Sequence, residues 1–133
     1  QVTFARVQAA WDEYQTATLL TPADHVIVGF CPETAAIGAF ALPAHVRKAI
    51  GRRGKDSADH ALTDPLDLDF VITHYTEVYI ASADSHFTTL ATQLTRSGIP
   101  VHNILGAARG ISHTLINECA SSRQLPCRFD HVA

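Results

Sequence analysis

The sequence predicts an α/β fold, a mostly parallel sheet covered by helices, and three observations predict it. His25 to Phe30 and Val78 to Ala81 are short β-favouring runs, apolar enough to be central or covered on both faces, and Val101 to Leu105 resumes a strand. Between the last two, Phe87, Leu90, Ala91 and Leu94 recur at three- and four-residue spacing, as on one helix face. Strand, helix and strand in that order form a βαβ unit, whose strands lie parallel. The 133 residues, 47% hydrophobic and 17% charged, suit a single folded domain with one core.

Each element has its own signal. Thr3 to Leu20 reads as an amphipathic helix with Phe4, Val7, Ala10, Trp11 and Tyr14 on its stripe and Thr3 as N-cap. Thr21-Pro22-Ala23-Asp24 ends it, and the strand His25 to Phe30 follows. Cys31-Pro32-Glu33 turns into a short helix through Ala41, interrupted by Gly38. Pro43 to Ile50 is expected to add further helical turns, with Val46 and Ile50 inward. Ser57 is expected to cap a helix carrying Ala58, Ala61 and Leu62. Asp64 with Pro65 should then start another, which buries Leu66, Phe70 and Val71. Capping and the helix dipole account for most of Asp64, Asp67 and Asp69. Small polar residues, Ser82 to Ser85, stop the strand at Ala81, while Gly98 and Pro100 stop the helix after Arg96. Gly106 to Gly110 is a small-residue loop without a GxGxxG or P-loop pattern. Ser112 caps a helix through Cys119, and Gln124 to Phe129 is expected as an edge strand, where Pro126 is tolerated.

Composition narrows the function. A net charge of −3 gives no general attraction to nucleic acid or membrane, so such binding needs a local patch. No apolar run approaches the ~20 residues that cross a bilayer, and no membrane partner is expected. The opening residues lack a signal-peptide pattern, which makes the cytoplasm the expected compartment. Cys31, Cys119 and Cys127 are odd in number with no CxxC pairing, and read as buried thiols. The eight histidines show no HxH, HxxxH or HExxH spacing, which argues against structural zinc.

Asp59 and Asp84 are the candidate functional pair. Asp84 falls at the carboxyl end of a buried strand, where open α/β sheets bind ligands, and a preceding helix can bring Asp59 alongside. Two close carboxylates repel, and a hard cation such as Mg²⁺ or Mn²⁺ relieves this. That cation can activate water and stabilise charge on a phosphodiester. His86 follows two residues later. The plainer reading of Asp84 is a cap for the helix that starts at Ser85. Arg47, Lys48, Arg52, Arg53 and Lys55 crowd five basic residues into nine, among Gly51 and Gly54. They read either as a solvated loop or as a lip that contacts phosphates.

The order of these pieces resembles the NYN branch of the PIN-like nucleases. Lys55-Asp56-Ser57-Ala58-Asp59 matches a helix with a Lys-x-x-x-Asp context. Ser82-Ala83-Asp84-Ser85-His86-Phe87 matches a strand ending in a Ser-Gly-Asp-Ser-Asp-Phe type motif, and Ser97-Gly98-Ile99-Pro100 leads into the next strand. The resemblance spans roughly residues 23 to 125. The family's opening acidic strand is not recognisable here, and His86 stands where the motif has its second Asp. What the resemblance implies is a Rossmann-like three-layer sandwich and hydrolysis of RNA by metal-activated water. Mg²⁺ or Mn²⁺ would be held by Asp59, Asp84 and His86, with single-stranded RNA on Arg47, Lys48, Arg52, Arg53 and Lys55. It equally accommodates a catalytically degraded module that binds RNA or protein, with a second copy of the chain completing the sheet.

Overall fold

Helix α1 spans Phe4–Thr18 and begins where its sequence says it should. The Thr3 hydroxyl accepts from the Arg6 N–H at 3.2 Å, satisfying one of the amides that a helix start leaves open. Its inward stripe carries Val7 and Trp11, both buried. They pack in one cluster with Phe30, Ala41, Leu42 and Val46. The computed structural model describes residues 3–52, 54–106 and 110–126. Its contacts divide into two compact units, the first running to Pro65 and the second beginning at Leu66.

The first unit is a βαβ segment with two further helices. Strand β1 (Ile27–Phe30) leaves through a 3-10 turn, Pro32–Thr34, into α2 (Ala35–Ala41) and returns as β2 (Arg47–Ile50). The two strands pair in parallel, from Ile27 opposite Arg47 to Phe30 opposite Ile50. Residues 47–50 are therefore a strand and not the expected helical turns. Over four residues the spacing of Val46 and Ile50 fits either form. Pairing decides it, because β1 needs a partner for its backbone groups. Helix α3 (Ser57–Thr63) then packs on both strands. Two glycines permit that approach. A Cβ on Gly29 would stand 2.6 Å from the Ala58 carbonyl oxygen, and one on Gly51 would overlap the Ser57 carbonyl group.

In the second unit, α4 (Leu68–His74) is capped by Asp67, whose carboxylate accepts from the Phe70 N–H at 3.1 Å. The expected start at Asp64 is displaced: Asp64 still belongs to the end of α3, donating its N–H to the His60 carbonyl. Strand β3 (Val78–Ile80) passes through a 3-10 turn, Ser85–Phe87, into α5 (Thr88–Arg96), and β4 (Val101–Leu105) returns beside it. Gly98 ends α5 at φ 83, and the Ile99 N–H reaches the Leu94 carbonyl at 2.9 Å. Helix α6 (His113–Glu118) is capped by Ser112 and leads to β5 (Ser121–Gln124). The sheet order is β3-β4-β5, all parallel. The buried side chains of this unit include Ile80, Val101 and Ile104 from the strands, Phe87 from the 3-10 turn, Ala91 and Leu94 from α5, and Leu115 from α6.

The fold is thus α/β with parallel strands, as the sequence predicts, in sheets of two and three strands. Strand β5 begins earlier than the expected Gln124 and runs from Ser121 to Gln124. Its Ser-Ser-Arg-Gln sequence carries no apolar signal because three of its residues are exposed, and Pro126 donates no hydrogen bond that could extend it. Residues 127–129 lie outside the described residues, as do Arg53 and Arg109.

Candidate functional site

In the second unit, a short polar network fixes the exit from β3. Asn103, fully buried on β4, donates through Nδ2 to the Ile80 carbonyl at 2.9 Å and the Ser82 carbonyl at 2.7 Å. The Ser82 hydroxyl accepts from the Asp84 N–H at 3.1 Å, and the Ser112 N–H donates to the Ala83 carbonyl at 2.9 Å. Asp84 follows at the carboxyl side of β3, exposed, with Oδ1 accepting from the His86 N–H at 2.7 Å. So Asp84 is a cap, as the plainer reading has it, and Oδ2 stays outside that bond. His86 is half-buried, its ring edge-on to Phe87 with centroids 5.2 Å apart.

In the first unit, Asp59 occupies the first turn of α3 and is half-buried. The residue before that helix, Asp56, is exposed and adopts the left-handed conformation at φ 57. It takes the N-cap position expected of Ser57, makes no side-chain capping bond, and leaves Ser57 buried as the first helical residue. Carboxylate oxygens of Asp56 and Asp59 lie within 4.8 Å of each other. Two carboxylates that close can both reach one hard cation, and exposed acidic groups commonly stand so without an ion. Sequence reasoning missed Asp56. Its only signal was its place in the chain, three residues before Asp59.

The basic run divides by structure. Arg47 and Lys48 are on β2, not in a loop, and successive strand residues face opposite ways. Lys48 Nζ donates to the Pro43 carbonyl, while Arg47 is exposed. Arg52 and Lys55 are exposed in the β2–α3 connection. The run is thus shared between a strand and a connection, and not one loop.

A groove of about 540 Å³ runs between α1 and α2, lined by Trp11, Asp12, Gln15, Phe40 and Pro43 among others, and none of the candidate site residues lines it. Cys31 and Cys119 are free and half-buried, so the expected full burial is not met. Burial, with the neighbouring Glu118 charge, pushes the Cys119 thiol above its ordinary range. Cys127 lies outside the described residues. Among the described residues, no helix is long and apolar enough to cross a membrane. Comparison with family models, curated proteins and solved structures finds no match to this chain.

Proposed function

We propose that the chain is a metal-dependent ribonuclease of the NYN/PIN-like kind, cutting single-stranded RNA. The reading starts from the motif order in the sequence. The observation that supports it most is Asp84, exposed just past the carboxyl end of a parallel strand on a loop that Asn103 pins. The resemblance assigns Asp59 and Asp84 to the cation, with His86 as a third ligand or a contact to substrate. Bound Mg²⁺ or Mn²⁺ supplies an activated water and offsets charge on the phosphodiester. Arg52 and Lys55, exposed before α3, hold RNA phosphates.

The test is cleavage of labelled RNA with and without Mn²⁺, comparing the parent with Asp84→Asn. Asparagine caps a helix as well as aspartate does, so this change removes charge while keeping the turn. Cleavage should require the cation and fall by about two orders of magnitude in the variant. Equal rates in both proteins, or no dependence on Mn²⁺, would sink the reading. A second reading, an RNA- or protein-binding module without hydrolysis, is favoured by His86 in place of a carboxylate, since imidazole is a poor Mg²⁺ ligand. The same assay separates the two: the module retains RNA and leaves it whole.

A further inference from the structure

On one face of the three-stranded sheet, near the amino ends of its strands, stand Glu77, Tyr79, His102 and Ser121. Register brings them there: Tyr79 pairs with His102, and His102 with Ser121, so these three lie abreast. Glu77, two residues before Tyr79, shares their face. The His102 ring bridges its neighbours. Nε2 is 3.0 Å from a Glu77 carboxylate oxygen, and Nδ1 is 2.6 Å from the Ser121 hydroxyl. Tyr79 packs beside the imidazole with centroids 4.9 Å apart.

The hydrogen-bond chemistry gives this trio a direction. A carboxylate only accepts, so the proton on neutral His102 resides on Nε2, facing Glu77. Nδ1 then has a lone pair, and the Ser121 hydroxyl must donate to it. A hydroxyl whose proton is already shared with an imidazole base is a stronger nucleophile than an ordinary serine. Geometry and roles, rather than sequence order, are what mark such an arrangement. Ser121 and Glu77 are exposed and His102 keeps 23% of its side chain open, so an electrophile can reach the oxygen.

We infer that Ser121 is an activated nucleophile that accepts an acyl group from an activated ester, with His102 as its base and Glu77 as a positioning residue. In the acyl transfer the Oγ–carbon bond forms and the ester carbon–oxygen bond breaks. The Oγ proton passes to His102 Nδ1, and the alcohol portion departs with the bonding pair. The site lies at the opposite end of the strands from the Asp84 turn and is independent of the nuclease reading.

The probe is a fluorophosphonate, whose phosphorus stands in for the acyl carbon and whose leaving group is fluoride. Peptide mapping by mass spectrometry should find one adduct on Ser121 of the folded protein and none there in Ser121→Ala. His102→Gln should slow labelling at least tenfold. Glu77→Gln should slow it several-fold with the thermal unfolding midpoint unchanged, and Glu77→Asp should recover part of the rate. Absence of a Ser121 adduct in the parent overturns the inference, as does an unchanged rate in a folded His102→Gln. If that variant fails to fold, the exposed Glu77→Gln decides, and a rate equal to the parent's overturns the proposal.

Discussion

The two βαβ segments, Ile27–Ile50 and Val78–Leu105, share a path but are held differently. Each strand exits through a 3-10 turn into a helix and returns parallel. In the first, Cys31 precedes the turn and offers no cap to a backbone amide, and the side-chain bonds there are local ones between Cys31 and Thr34, at 3.2 and 3.3 Å. Position there is set by shape: the Trp11 and Phe30 cluster, and the glycines that let α3 settle on β1 and β2. In the second, Asp84, Ser82 and Asn103 tie the same turn with directed hydrogen bonds. Apolar contact fixes where a helix lies, while hydrogen bonds fix how a loop points. Only the second kind holds one exposed carboxylate at a set orientation.

Substitutions at three positions sharpen that contrast. Gly51→Ala should destabilise most, by about 3 kcal/mol in urea unfolding, because the new methyl meets the Ser57 backbone and not a yielding side chain. A loss under about 1 kcal/mol would mean that shape matters less in the first unit than described. Asn103→Ala should cost about 2–3 kcal/mol by leaving buried carbonyls without their donor. It should also speed amide hydrogen exchange at His86 and Ser112, and unaltered exchange there would show the loop to be held some other way. Asp84→Ala should cost about 1 kcal/mol and Asp84→Asn almost nothing, since the cap is what Ala removes. Equal losses in both would point to charge rather than capping as the stabilising property of that side chain.

The same contrast explains what could be read from the chain. The second βαβ segment was legible because local chemistry and tertiary structure agree: an apolar strand, an acidic cap, an amphipathic helix and a glycine stop each point the same way. Strand β2 was misread because Arg47-Lys48-Ala49-Ile50 has neither alternation nor an apolar run, and only its ladder with β1 makes it a strand. Strand β5 was displaced for the same reason. Of the candidate groups, Asp84 was legible from its place after β3. Asp56 was hidden by its left-handed backbone, an uncommon state for a residue with a side chain. The Glu77–His102–Ser121 row was beyond reach, since strand register across 25 and 19 positions carries no local mark.

The polar make-up of β5 has a further consequence. Among the described residues β5 is the last strand of its sheet, and rim strands in general invite other chains to add to them, a growth that leads to aggregates. Four residues without one aliphatic or aromatic side chain, with Arg123 among them and Pro126 close behind, make a poor template for such growth. The sequence that disguised this strand is also what keeps its outer border from becoming adhesive.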